Sequence, residues 1–319
     1  MQEDEDFVRK GPVLLPKACE RVVDADEEIF ILYSEIQTGT PPESADKFRG
    51  LGYVDSHKDV LEIKFELKNV VSSTSDTQLT GKRKNKSRKV AKDLDKTVEI
   101  ELWQDKTALR SRKGDTGSVL WKASIDFAQL VLQKYYSGSN NGLFDRELLS
   151  TINLVELGSG TGLLSLALSP LVKHYTATDI GPLVPLIQKN VTLNFPGWPR
   201  LSSGNKGANI SVEELDWMAI EAATPSQRVK IYDTEAQPID LLLIVDCIYH
   251  PSLIPPFLTT VDYLTTPDRT AVLVVSELRA EDVMREFLEQ WLSIPGWGVW
   301  RIPNDLLGKH YVIYLGWKV

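Results

Sequence analysis

Strand-length apolar segments alternate with helical segments over the second half of the chain, and this alternation limits the possible folds. The strand segments are NLVELG, HYTATDIG, ISVEELDW, IDLLLIVDCIY and TAVLVVSELR. Helical segments such as TGLLSLALSPLV and AEDVMREFLEQWL lie between them. Nearly continuous apolar strands that alternate with helices predict an open, mostly parallel sheet with helices on both faces. The last segments, GWGVWRIP and HYVIYLGWKV, predict a C-terminal antiparallel hairpin.

Two further expectations concern the connections. The helix PLVPLIQKNVTLN should have Pro182 in its first turn, which leaves Pro185 unusually deep. A loop should follow Trp217 and run to about Pro238.

The first part of the chain reads as an N-terminal β extension over residues 1–98, followed by the main domain over residues 99–319. Ile29–Tyr33 is short and apolar, and Val60–Leu67 alternates as a strand does. Thr97–Gln104 is a second strand, which should pair with Val60–Leu67 as a hairpin with a long loop. That loop, residues 72–96, contains almost no apolar residues, so it is expected to be a flexible insertion.

The insertion carries a basic cluster, which leaves two interpretations open. One is a nuclear-localisation or RNA-contact patch, and the other, which we favour, is a solvated loop. The members of the cluster are Lys82, Arg83, Lys84, Lys86, Arg88, Lys89 and Lys92.

Composition excludes several classes of protein. With 36 Lys and Arg against 44 Asp and Glu, the chain has a net charge of −8, which argues against a general nucleic-acid binder and is compatible with a basic partner. The N-terminus MQEDEDF lacks the apolar segment of a signal peptide, and no apolar run reaches the length of a membrane span. Cys19 and Cys247 are the only cysteines and the four histidines are scattered, so we expect no disulfide framework, no metal site and a reducing compartment.

The densest motif is VELGSGTG, which places Gly158, Gly160 and Gly162 between a predicted strand and a predicted helix. Small residues at such a turn let the backbone approach a ligand closely, and the helix start presents N–H groups to it. Leu163 breaks the spacing of the dinucleotide fingerprint, so the pattern is that of class I methyltransferases rather than dehydrogenases. The alternative is a tight turn that binds nothing.

A carboxylate should follow the next strand, and Asp179 ends HYTATD at that point. A carboxylate can accept hydrogen bonds from both ribose hydroxyls of a nucleoside, which we favour over a helix N-cap for Asp179.

Ligands in open α/β sheets lie at the carboxyl ends of the strands, so the residues after the later strands also matter. Asp216 could accept a hydrogen bond from an adenine amino group, and Trp217 could contact the base. The alternative is a solvent-facing Asp beside a core Trp. Asp246 ends a buried strand, where a carboxylate is costly unless it has a partner or a role.

Taken in order, TGSVLW, VELGSGTG, ATD, ELDW, VDCIY and SELR resemble the seven-β-strand protein-lysine methyltransferases often called family 16. The mark of that family is D-x-x-Y after the fourth strand, which Asp246 and Tyr249 match. The resemblance runs from about Thr97 to the C-terminus. It is strongest to the fungal branch that methylates a lysine of a large-subunit ribosomal protein, and the lysine methyltransferase of valosin-containing protein is related.

This resemblance implies a Rossmann-like, seven-stranded fold, S-adenosylmethionine as cofactor and a basic ribosomal protein as substrate. Asp246 and Tyr249 would line the pocket for the target amine, and Glu277 and Arg279 would support it. The implied cofactor-binding residues are Trp121, Gly158, Ser159, Gly160, Asp179, Trp217 and the main chain of Val245.

Other functions remain open at this point. One is a class I methyltransferase that acts on RNA or a small molecule, although VDCIY stands where many such enzymes have [DN]-P-P-[YF]. Another is a non-catalytic protein that binds the cofactor and docks on the ribosome or RNA through the basic insertion. A nucleotide-dependent oxidoreductase is disfavoured by Leu163. We expect a cytoplasmic protein, and the basic insertion keeps the nucleus open as a second location.

Overall fold

The computed structural model describes most of the chain. The described residues are 7–39, 52, 54–55, 58–68, 96–105, 116–138, 142–303 and 306–319. The predicted basic insertion therefore lies outside the described residues, apart from Lys96, which begins a strand. No helix in the described ranges is long and apolar enough to cross a membrane.

Twelve strands are present among the described residues. They are β1 (Phe7–Lys10), β2 (Val13–Pro16), β3 (Glu20–Arg21), β4 (Val60–Leu67), β5 (Lys96–Trp103), β6 (Asn153–Leu157), β7 (His174–Asp179), β8 (Ile210–Glu214), β9 (Leu241–Val245), β10 (Ala271–Glu277), β11 (Trp297–Ile302) and β12 (Tyr311–Lys318).

The same residues form nine α-helices and two short 3₁₀ turns, Ser169–Leu171 and Pro251–Leu253. The helices are α1 (Ala25–Gly39), α2 (Lys122–Ser137), α3 (Arg146–Leu149), α4 (Leu163–Leu168), α5 (Val184–Asn194), α6 (Trp217–Ala222), α7 (Pro225–Ile231), α8 (Ile254–Leu264) and α9 (Glu281–Ser293).

The main sheet has the order β3-β11-β12-β10-β9-β6-β7-β8. The five strands β10, β9, β6, β7 and β8 are parallel to one another, whereas β12 runs antiparallel to both β10 and β11. This confirms the predicted α/β sheet of seven strands and its C-terminal antiparallel hairpin. An eighth strand, β3, joins the edge with only two residues and comes from the N-terminal part of the chain.

The hairpin predicted from the N-terminal sequence is also present. β4 and β5 pair antiparallel from Val60 opposite Trp103 to Leu67 opposite Lys96, so the two ends of the insertion leave the same end of the hairpin. A second hairpin pairs β1 with β2.

Two local expectations were wrong, and the N-terminal part of the chain also contains a helix. Ile29–Tyr33 lies within the 15-residue helix α1, so the N-terminal extension is not purely β. Helix α5 begins at Val184, which puts Pro185 rather than Pro182 in its first turn, where a missing N–H costs nothing. The loop expected after Trp217 contains α6 and α7.

Local caps explain those two short helices. The Asp216 side chain accepts the backbone N–H of Met218 at the start of α6. Thr224 and Gln227 form a capping box around Pro225 at the start of α7. Neither helix is long enough to show a clear apolar period in the sequence.

Hydrophobic side chains form one core on each face of the sheet. β9 shows the division clearly, because Leu241, Leu243 and Val245 pack into one core while Leu242 and Ile244 pack into the other. The first core also contains residues of α2, α4, α5 and the β4–β5 hairpin, and the second contains residues of α1, α8 and α9. The N-terminal segments therefore share both cores with the main sheet.

Candidate active site

A cavity of about 290 Å³ opens at the carboxyl ends of β6, β7 and β9. This is the edge of an open α/β sheet where ligands bind, and the volume is at the lower end of the range for small-molecule sites. The nine residues that the resemblance assigned to the amine pocket and to cofactor binding lie in its wall, whereas Gly162, Glu277 and Arg279 are not among its lining residues. The nine are Trp121, Gly158, Ser159, Gly160, Asp179, Trp217, Val245, Asp246 and Tyr249.

The glycine turn and Asp179 are joined directly. The Gly160 N–H donates to Asp179 Oδ2 at 2.7 Å, and the Ile180 N–H donates to Asp179 Oδ1 at 2.8 Å. Gly158, Gly160 and Gly162 all have positive φ angles (70°, 56° and 80°), which explains the residue type at each position. Asp179 does not cap α5, which begins five residues later, so the N-cap alternative for Asp179 was wrong.

The segment before α2 packs across the glycine turn. A Cβ atom on Gly160 would lie 3.0 Å from the Gly117 carbonyl oxygen, and one on Gly117 would lie 2.6 Å from the Leu183 side chain. Gly117 therefore belongs to the cavity wall, although no role was predicted for it from the sequence. Its only signal was its place in the motif TGSVLW.

Gln104 connects this segment to the N-terminal part of the chain through hydrogen bonds. Its buried side chain accepts the Leu120 N–H at 2.8 Å and donates to the carbonyl oxygens of Asp55 (2.8 Å) and Lys58 (3.0 Å). This side chain therefore helps to hold in place the segment that carries Trp121. A lone glutamine at the end of a strand gives no sign of this in the sequence.

Trp217 and Asp216 take different parts at the base of α6. Asp216 caps the helix and also lies in the cavity wall. The Trp217 ring packs edge-to-face on Phe257, with ring centroids 5.0 Å apart. It also lies close to the glycine turn, because a Cβ atom added to Gly158 would be only 3.5 Å from the ring. Trp217 is thus a cavity residue supported by the core rather than a core residue alone.

Asp246 has an unusual conformation and a strong partner. Its φ angle is +62°, which is rare for a residue with a side chain and most readily tolerated by Asn and Asp. The side chain is only 4% exposed. Arg279 donates to both carboxylate oxygens of Asp246, from Nη1 to Oδ1 at 2.8 Å and from Nη2 to Oδ2 at 2.5 Å, and so forms a bidentate ion pair. Tyr249 lies three residues further on, in the wall of the cavity and 36% exposed.

Two buried titratable groups lie behind the glycine turn. Burial raises the pKa of Glu156 to about 7, although the Tyr175 hydroxyl donates to its carboxylate at 2.9 Å. Burial also raises the pKa of the Cys247 thiol well above its usual range, and the Cys247 Sγ lies 3.3 Å from the Leu157 carbonyl oxygen. Cys247 is therefore a protonated packing residue rather than a nucleophile.

Comparison with known proteins identifies one family. The model of the lysine methyltransferase family matches residues 97–293, which is more than half of the chain. The match begins where the motif resemblance begins, and it includes every residue that the sequence placed in the site.

Among curated proteins, a "Ribosomal lysine N-methyltransferase 5" of Candida glabrata is 26% identical over 86% of this chain and 92% of its own length. A protein of the same name from Zygosaccharomyces rouxii is 27% identical over 55% of this chain and 64% of its own length. A Schizosaccharomyces pombe protein named "Diaminohydroxyphosphoribosylamino-pyrimidine deaminase" is 30% identical over 60% of this chain.

The chain spans less than two thirds of two of these relatives. The match covers 41% of the Schizosaccharomyces pombe protein and 64% of the Zygosaccharomyces rouxii protein. The deaminase activity for which the Schizosaccharomyces pombe protein is named is therefore not assigned to this chain.

Proposed function

The chain belongs to the lysine methyltransferase family, and from this we propose that it transfers a methyl group from S-adenosylmethionine to a lysine of a large-subunit ribosomal protein. One observation carries the proposal. A single cavity joins the glycine turn and Asp179, which suit a nucleoside, to Asp246 and Tyr249 at the end of the neighbouring strand β9.

The nucleoside end of the cavity fits such a cofactor. Gly158 and Gly160 lie in the cavity wall, and neighbouring protein atoms leave no room for a side chain at either position. Asp179 is held by the Gly160 N–H. A carboxylate accepts several hydrogen bonds at once, which suits the two ribose hydroxyls, and the Trp217 ring offers an apolar surface to a base. When bound, S-adenosylmethionine supplies a methyl group on a sulfonium, which is an excellent leaving group.

The protein must supply position and a neutral amine at the other end. A lysine with an ordinary pKa of about 10.4 is neutral in only about one molecule in a thousand near pH 7.4. The partly enclosed wall formed by Trp121, Val245 and Tyr249 removes water from the amine, which lowers its pKa. Holding the amine in line with the methyl group is mainly a matter of proximity and orientation.

The names of the relatives and the charge of the chain support the proposed substrate. Several fungal relatives are named for ribosomal lysine methylation, and a net charge of −8 suits a basic ribosomal protein. We propose that the enzyme acts in the cytoplasm and that the basic insertion is a solvated loop; a nuclear share and contact with ribosomal RNA are the alternatives.

Two variants should separate chemistry from cofactor binding. Asp246→Asn keeps a residue that tolerates φ of +62° but loses the charge, so methyl transfer should fall about a hundredfold while cofactor affinity stays within about twofold. Asp179→Asn should instead weaken cofactor binding about tenfold or more, since it removes a charged acceptor. The measurements are transfer of labelled methyl groups to large-subunit ribosomal proteins and calorimetric titration with S-adenosylhomocysteine.

Asp268→Asn is the matched control, because exposed Asp268 has a φ angle of 59° and lies outside the cavity wall. It should leave both measurements unchanged. Label in RNA rather than in lysine would reject the substrate proposal. Full transfer by the Asp246 variant would reject its role in the amine pocket, and unchanged cofactor affinity in the Asp179 variant would reject ribose binding.

A further inference from the structure

Arg279 is paired with Asp246, whose side chain was expected to line the pocket for the target amine. Its guanidinium makes a bidentate pair with Asp246, and Nη2 also lies 2.8 Å from Glu277 Oε2. The Arg279 side chain is 28% exposed and Asp246 only 4%. Burial lowers the pKa of Arg279, but the two carboxylates more than offset this, so its pKa lies above the ordinary value and the group stays cationic.

Two further contacts hold the guanidinium in place. The Trp121 ring, in the cavity wall, lies with its centroid 4.9 Å from Arg279 Cζ. On another side, a Cβ atom on Gly52 would lie only 2.6 Å from Arg279 Nη2. The Gly52 carbonyl oxygen accepts a hydrogen bond from the Lys122 N–H, so Gly52 is connected to the first residue of α2. A planar group enclosed in this way cannot swing aside without breaking several contacts.

The surrounding charges decide what the guanidinium does. Asp246 follows β9, and Glu277 ends β10. Behind them, the Tyr311 hydroxyl of β12 donates to Asp126 of α2, which also pairs with Lys122. Without Arg279, the Asp246 carboxylate in the cavity wall would have no cation to balance its charge or that of the nearby Glu277, and this negative charge would stabilise the ammonium form of an incoming lysine.

We propose that Arg279 is a positioning residue that holds the Asp246 carboxylate and, as a fixed cation, keeps the amine pocket from trapping the target lysine in its protonated form. This inference rests on the proposed lysine methylation and goes beyond it. Asp246 then acts as part of a charge-balanced wall rather than as the direct partner of an ammonium group.

The chemistry explains why protonation matters. The lysine ammonium first gives a proton to water. The lone pair of the neutral nitrogen then forms a bond to the methyl carbon, while the carbon–sulfur bond breaks and its electron pair stays on sulfur. A protonated nitrogen has no lone pair, so any group that stabilises the ammonium slows transfer at neutral pH and does so less at high pH.

Arg279→Gln tests the inference through the pH dependence of kcat for transfer of labelled methyl groups to isolated large-subunit ribosomal proteins. At pH 7 the variant should lose about tenfold or more in kcat, and the midpoint of the rising limb should move about one unit or more to higher pH. Near pH 10 its kcat should approach that of the wild type, and KM for the protein substrate should not rise. Arg279→Lys keeps the positive charge but loses the bidentate geometry. Its midpoint should therefore return most of the way to the wild-type pH.

Arg269→Gln is the matched control. Arg269 pairs with Asp240 between the same two strands but at their opposite ends, so its loss should leave the pH profile unchanged. Unchanged affinity for S-adenosylhomocysteine shows that each variant is folded. An equal fractional loss at every pH, or a KM rise with kcat unchanged, would overturn the role of Arg279. A wild-type protein that labels no lysine would instead overturn the proposed function on which this role depends.

Discussion

Glu156 brings a carboxylate into the centre of the sheet, two residues before the glycine turn. It is 3% exposed, and burial raises its pKa from 4.5 to about 7. The folded protein therefore binds this proton more tightly than the unfolded chain does. The resulting cost is absent below the unfolded pKa, grows as the pH rises from 4.5 to 7 and is complete above that.

Glu156→Gln should remove this pH dependence. The amide stays neutral and its oxygen can still accept from the Tyr175 hydroxyl, so the variant should gain up to about 3 kcal/mol over the wild type between pH 5 and pH 8. The free energy of unfolding in urea at several pH values measures the effect. Glu289→Gln, on the exposed side of α9, should show no such gain. A constant difference between variant and wild type across this range would contradict the linkage.

Among the structural elements, the segment from Thr116 to Trp121 depends on contacts that are remote in sequence. Gln104 links the Leu120 N–H of this segment to the carbonyl groups of Asp55 and Lys58. The Asp105 N–H donates to the Ser118 carbonyl oxygen, and the Val54 N–H to that of Leu120. The segment that forms this part of the cavity wall is therefore held partly by Val54, Asp55 and Lys58, which lie outside the family match and do not line the cavity.

Gln104→Ala should weaken both stability and cofactor binding. The change deprives one buried and two partly buried backbone groups of this partner, which should cost about 3 kcal/mol and loosen the wall that carries Trp121. Gln133→Ala is the control, since Gln133 also bonds both backbone groups of Lys68 but at an exposed site away from the cavity. Thermal unfolding and titration with S-adenosylhomocysteine measure the two effects. Equal loss of cofactor affinity in both variants would contradict the local role of Gln104.

The sequence was informative where chemistry depends on strand ends. Asp179 and Asp246 each close an apolar strand, and parallel strands bring such ends together, so their meeting in one cavity was predictable. The partner of Asp246 was not predictable as a bidentate pair, because Arg279 lies 33 residues away and its direction depends on packing against Trp121 and Gly52. Gly117 and Gln104 were missed for the same reason.

At the scale of the whole molecule, an acidic body carries a basic insertion. Residues 72–95 contain seven Lys or Arg and three Asp, within a chain of net charge −8. The pairing of Leu67 with Lys96 places the two ends of this stretch next to each other at the end of the β4–β5 hairpin. A short turn that contains Asn-Gly can therefore join β4 to β5 directly.

Replacement of residues 69–95 by such a turn should leave cofactor affinity, thermal stability and methyl transfer to isolated protein unchanged, because the hairpin keeps its register. Cosedimentation with ribosomes at increasing salt then decides between the two interpretations of the basic cluster. Binding that falls and loses its salt dependence assigns the cluster to contact with RNA, since phosphate contacts release counterions. Unchanged binding leaves a solvated loop. A variant of full length with the seven basic residues changed to Gln controls for loop length, and reduced cofactor affinity in either protein would contradict the separation of insertion and site.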